Sequence, residues 1–294
     1  MPELGEPVAV GVVSEWEGEC PFTHETTDHK IKNKLDKSSG TLGSSLNKGV
    51  STRLWEEKGG AYEQKEDQKA AKESKAKCCG WPPSSYVTVE SLTPGVTMQA
   101  PFSPAAHHLI PTNASFLPCS SLMAFVAESK GDKILGEIGY DVNGAENGIW
   151  LPTHTALVNG MADGTYPVPG ASTGDYGALP KPFKQRYAEA VMKHTSRQFH
   201  TTHRSYSSWV KGVLEKITLK MLAMKEVGKC EKCKKIVKDL KGKRKPPHTL
   251  SLRIDSLSMR VRKYLYGSAV SWRAPLFTSS YAAKYAESVR AGRA

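Results

Sequence analysis

The chain has 294 residues, 41 Lys+Arg against 29 Asp+Glu and a formal net charge of +12, enough length for one large or two ordinary domains with a proper core. Nowhere does it approach the roughly 18 consecutive apolar residues of a membrane span, and six cysteines are too few for a disulfide-built fold of this size. The charge is concentrated: residues 1–80 carry −2, residues 81–180 carry −6, and residues 181–294 carry +20 from 27 basic and 7 acidic side chains. A block that basic attracts a polyanion, DNA or RNA foremost. Arg197, Arg204, Tyr206 and Trp209 within it add groups suited to phosphate and base contact, against the plainer reading of a lysine-rich solvated surface.

In chain order, the start Met1-Pro2-Glu3-Leu4 lacks the basic flank of a signal peptide and the apolar run at residues 7–13 is short, which predicts a protein made in the cytoplasm without a cleaved leader. Residues 1–80 read as an accessory segment: residues 35–50, rich in Ser, Gly and Lys, as a linker, and residues 55–77 as a solvated helix or disordered tether. Composition changes at Cys78-Cys79-Gly80-Trp81-Pro82-Pro83. Residues 86–90 alternate like a strand, Pro94-Gly95 marks a turn, and Ala105-Ala106-His107-His108-Leu109-Ile110 is a short strand-like run stopped by Pro111. A short helix is expected at residues 120–129, a turn-dense stretch at 141–148, a strand at 149–152 and a Gly-rich loop at 159–179. Helices follow: residues 183–192, then one starting near Thr201-Thr202 whose His203, Tyr206, Val210 and Ile217 share a face, with His200 three residues before His203. Residues 229–245 are basic and hold Cys230-Glu-Lys-Cys233; residues 250–266 fit a strand or a helix, and residues 279–291 a terminal helix.

Adjacent residues of a strand point to opposite faces, so His107 and His108 can serve two jobs, one nitrogen on a metal and the other on a substrate water. Alone, the pair would be read as one core and one solvated histidine. In order with it stand Asn147 beside Gly148, then His200 and His203. Three His nitrogens can hold one divalent ion and leave positions open for phosphate and water. The remaining strand histidine can take a proton from that water near its unperturbed pKa of about 6.5, and an Asn carbonyl on its other nitrogen would fix the tautomer.

This ordered set resembles the AHH family of the HNH (His-Me finger, ββα-metal) endonuclease superfamily, found as toxin domains of bacterial polymorphic toxin systems. The resemblance rests on Pro104-Ala105-Ala106-His107-His108-Leu109-Ile110-Pro111, Ile138-Gly139-Tyr140-Asp141-Val142-Asn143, Asn147-Gly148-Ile149-Trp150-Leu151-Pro152 and His200-Thr-Thr-His203-Arg-Ser-Tyr206. It implies an α+β fold with a small ββα-metal core at residues 81–220, a basic and mostly helical extension at 221–294 packing on that core, and a partly disordered delivery segment at 1–80. It implies a metal-dependent endonuclease, with His107, His200 and His203 as ligands of one divalent ion (Mg or Zn), His108 as general base and Asn147 as its orienter. His154 and His194 are rival ligands, the roles of His107 and His108 could be exchanged, and Arg197 or Arg204 would contact phosphate. The implied partners are DNA (RNA being the alternative), a cognate immunity protein and a secretion machine or chaperone, type VI secretion among the candidates, that delivers the protein into a target cell; no membrane partner is implied. Cys78, Cys79, Cys230 and Cys233 could form a structural zinc clasp, with reduced surface thiols as the other reading. The competing function is a non-catalytic, zinc-stabilised nucleic-acid binder.

Overall fold

A computed structural model of the chain describes residues 39–48, 85–120, 122, 140, 142–168, 175–226 and 250–292. The four clasp cysteines, most of the helix expected at 120–129 and the basic stretch at 229–245 lie outside them. The fold mixes helices with small antiparallel sheets, the α+β class expected. Among the described residues no helix is long and apolar enough to cross a membrane.

The chain forms two compact units, and the division is not sequential. One unit holds His108–Gly148 and Ser207–Val261, the other Ile149–Tyr206 and Arg262–Ala294 with the strands that precede His108.

In the second unit, β1 (Tyr86–Glu90) and β2 (Thr97–Pro101) pair antiparallel with Tyr86 opposite Pro101 and Glu90 opposite Thr97. The turn between them uses Gly95 at φ +76°, a conformation that costs glycine little. Strict alternation in β1 buries Val87 and Val89 and exposes their neighbours, as a one-sided strand requires. Those valines join a core with Phe102, Leu157, Phe183, Tyr187, Val191 and Trp272. Three helices contribute to it: α2 (Thr155–Ala162), α3 (Lys181–Thr195) and α6 (Ser280–Arg290), the last capped by the Ser279 hydroxyl, which accepts from the Ala282 N–H. The Gly-rich loop expected from residue 159 thus starts later, because α2 continues through Ala162.

The remaining strands are β3 (Ser103–His108) and β4 (Gly148–Thr153), which pair with each other. The Ser103 and Thr153 hydroxyls meet at one end, and the Leu109 N–H donates to the Asn147 carbonyl at the other, so the two run antiparallel.

α4 (Arg204–Glu226) starts in the second unit, where Tyr206 is buried, and continues in the first, where Val210, Val213, Leu214 and Ile217 are buried; α5 (Leu250–Arg262) of the first unit buries Leu250, Ile254, Leu257 and Val261. The steps of four, three and four in α5 settle residues 250–262 as helix. Where a linker was expected, Ser39–Lys48 forms a helix, α1. Leu42 and Leu46 lie one turn apart and are 0% and 5% exposed, so tertiary burial overrides a Gly- and Ser-rich composition that disfavours helix. A Cβ placed on Gly148 would sit 2.7 Å from Leu42 Cδ1 and 2.9 Å from Leu46 Cδ2; only glycine allows α1 to approach the start of β4 this closely.

Candidate metal centre and catalytic histidine

The site begins with the end of β3, where His107 is buried and His108 is partly exposed. The second contribution comes from the segment after α3. Ser196 closes that helix in the left-handed region, at φ 51°, with its N–H donating to the Met192 carbonyl. The chain then continues outside helix and strand to His203, and the His200 N–H donates to the Pro152 carbonyl at 2.8 Å, pinning this segment to β4. His203 immediately precedes α4, so both histidines lie in the approach to the helix rather than on its first turn.

One ring nitrogen from each of His107, His200 and His203 lies within 4.8 Å of the other two. Their ring centroids are 4.8–5.2 Å apart, and Tyr206, fully buried on the first turn of α4, packs 5.4 Å from both His107 and His203. A tetrahedral ion with bonds of 2.0–2.1 Å needs nitrogens about 3.4 Å apart, so side-chain rotations of around an ångström would complete the set.

The electrostatics suit a cation. Burial, reinforced by the neighbouring His203 and His154, lowers the His200 pKa to about 4, and burial also lowers that of His203. Both rings are then neutral at pH 7 with a lone pair available, the form a metal requires. The His200 Nε2 is buried and makes no hydrogen bond among the described residues. A buried polar atom of that kind is costly unless something coordinates it, and a metal ion would do so. The donor set therefore fits a divalent ion. Neither rival histidine is part of it: His154 stacks on Tyr176 with centroids 4.0 Å apart, and the exposed His194 meets the edge of Phe102.

His108 has a different environment. Its Nε2 lies 2.9 Å from the Asn143 Oδ1. An amide oxygen only accepts, so Nε2 carries the proton and the lone pair sits on Nδ1. The amide bonded to His108 is thus Asn143 and not Asn147. Asn147 is 0% exposed and fully committed to structure. Its Oδ1 accepts from the Ile110 N–H (2.8 Å) and the Ser258 hydroxyl (3.1 Å), and its Nδ2 donates to the carbonyls of Ile110 (3.2 Å) and Val142 (2.9 Å). This amide ties the end of the His-His strand to the turn before β4 and to α5. Asn143 stood inside the sequence motif, but nothing in its spacing to His108 distinguished it from Asn147.

The two arginines separate as well. Arg197 is 6% exposed, donates to the Trp150 carbonyl at 3.1 Å and lies 5.8 Å from the Tyr266 ring centroid, so it braces β4 and is not placed to meet a phosphate. Arg204 is exposed at the start of α4, next to His203.

Three imidazoles from two distant segments thus offer one ring nitrogen each within reach of one cation, a donor set of the kind used in metal-assisted hydrolysis. The chain belongs to the AHH family, a nuclease family of the HNH/ENDO VII superfamily with a conserved Ala-His-His, whose profile matches residues 90–241, just over half of the sequence. It is therefore a nucleic-acid hydrolase of a superfamily whose nucleases use a divalent metal. The chain matches no curated protein and no solved structure.

Proposed function

We propose that the protein is a metal-dependent endonuclease that cuts DNA, and the observation that carries this is the convergence of His107, His200 and His203. These residues would hold one divalent ion, which when bound supplies Lewis-acid stabilisation of the charge that grows on the scissile phosphate. His108 takes the proton from the attacking water on Nδ1. Asn143 holds the ring and stabilises the imidazolium through the Nε2–H bond. Water attacks phosphorus, the bond to the 3′ oxygen breaks, and the products carry a 5′ phosphate and a 3′ hydroxyl. Arg204, exposed beside His203, would meet a phosphate, and the +20 block at residues 181–294 supports a polyanionic substrate.

The likeness to toxin domains extends the proposal to an antibacterial effector. It would be delivered by a secretion machine into a target cell and neutralised at home by an immunity protein.

The test offers supercoiled plasmid and structured RNA to the purified full chain with Mg²⁺, Mn²⁺ or Zn²⁺ and with a chelator. Wild type should nick and linearise the plasmid only with metal. His108→Ala should keep fold, metal and DNA binding yet lose cleavage. Cleavage of RNA alone would reassign the substrate, and no cleavage with any ion would leave a nucleic-acid binder.

A further inference from the structure

The approach to α4 that carries His200 and His203 is held to β4 by the bonds already described, and by a larger set to residues 264–278. The Gly267 N–H donates to the Ser196 carbonyl (2.7 Å), the Gln198 N–H to the Leu265 carbonyl (3.0 Å), and the Thr201 N–H to the Thr278 carbonyl (3.1 Å). Arg197 bridges to Tyr266 as a short antiparallel pair. At the centre is Gln198, two residues before His200 and 0% exposed. Its Nε2 donates to the carbonyls of Tyr264 (2.7 Å) and Leu276 (3.1 Å), and its Oε1 accepts from the Thr278 N–H (2.9 Å) and hydroxyl (3.3 Å). The Thr278 hydroxyl also lies 3.1 Å from the Phe199 carbonyl, the residue joining Gln198 to His200. Every donor and acceptor of the Gln198 amide is thus engaged with a segment that lies beyond the residues matching the family, 90–241.

We infer that Gln198 is a positioning residue for the metal centre, and that the segment from Tyr264 to Thr278 is the jig in which this chain sets its two helix-side ligands. The inference rests on the metal-site reading given above. The physical reason is the site's own construction. His107 is placed by a strand, but His200 and His203 lie outside helix and strand, where no repeating hydrogen bonds fix them. A loop ligand must be located by its neighbours. Outer residues that hold ligands in place typically govern metal affinity by 10- to 100-fold, and here the four bonds of one buried amide replace the ladder that a helix or strand would have provided. The sequence motif ends with the ligands, so the C-terminal residues that place them carry no family signature.

The test measures divalent-ion affinity of the full chain by competition with a chromophoric zinc chelator, alongside thermal melting of the metal-free protein and plasmid cleavage across a metal titration. Gln198→Ala should bind zinc about 10- to 100-fold more weakly, and its cleavage should recover toward the wild-type rate when metal is raised. Thr278→Val, which deletes a hydroxyl but keeps the backbone bond to Gln198, should show a smaller shift in the same direction, and Thr278→Ser should behave as wild type. The Thr278 variants decide the matter if Gln198→Ala fails to fold. Zinc affinity equal to wild type in both Gln198→Ala and Thr278→Val, whatever happens to melting, overturns the positioning role. A wild-type chain that binds no divalent ion would instead overturn the metal centre itself.

Discussion

Asn147 and Asn143 stand four residues apart, and the structure gives them different partners: His108 for Asn143, backbone groups and Ser258 for Asn147. In Asn147→Ala, the Ile110 N–H and the carbonyls of Ile110 and Val142 lose their side-chain partner in the interior, and Ser258 keeps only its bond to the Ile254 carbonyl. An orphaned buried group costs about 1–3 kcal/mol, so three of them cost about 3–5 kcal/mol at the low end of that range, where a water enters the vacated space. That is a large part of the 5–15 kcal/mol that holds a typical domain together. Urea unfolding of the metal-free protein should show this loss as a lower midpoint. Asn143→Ala should move stability less and lower the cleavage rate by about 10- to 100-fold, a share of the 10²- to 10⁴-fold that general-base catalysis supplies. An Asn147→Ala protein as stable as wild type but inactive would refute the division of labour and restore Asn147 as the orienter of His108.

Other consequences can be measured independently. The His200 pKa is lowered to about 4 by burial, so the folded metal-free protein declines a proton that the unfolded chain accepts below about 6.5; the associated stability is complete above that pH, falls as pH drops toward 4, and amounts to at most about 3 kcal/mol. Denaturation at a series of pH values with chelator present should show that fall, and a flat profile from pH 7 to 4.5 would contradict it. Gly148→Ala drives a methyl into Leu42 and Leu46 and should cost about 1–3 kcal/mol; adding Leu42→Ala should relieve part of it, so strictly additive melting shifts would show that α1 does not pack there. Arg204→Ala should weaken DNA binding and reduce its salt dependence without moving the melting temperature, whereas Arg197→Ala should lower the melting temperature through the lost brace on Trp150. The reverse pattern would mean that the arginines have been misassigned.

What the sequence revealed was whatever recurs at short range. Alternation over Tyr86–Glu90, the steps of three and four along α4 and the run that stops at Pro111 are local signals, and each became the expected element. The His-His pair and the two downstream histidines could be singled out because four imidazoles in that order have few structural reasons to exist. What remained hidden depended on distant partners. Asn147 meets Ile110 and Ser258, which lie 37 and 111 residues away, so no spacing could show that its amide was already engaged. Gln198 meets Thr278 across 80 residues with no motif at either end. Helix α1 was masked by its own composition, since Gly and Ser between two leucines read as linker until the surface that buries Leu42 and Leu46 is known. Arg197 looked like a phosphate ligand because charge is read as exposed by default, and only burial corrects that reading.

His107, His200 and His203 would together gather one ion. Zinc titration of the full chain and its single histidine-to-alanine variants tests this most directly. One ion per chain should bind to wild type, His154→Ala and His194→Ala, while His107→Ala, His200→Ala and His203→Ala should each lose that binding and keep their helical content by circular dichroism. Binding that survives in those three variants, or that disappears with His154, would contradict the account.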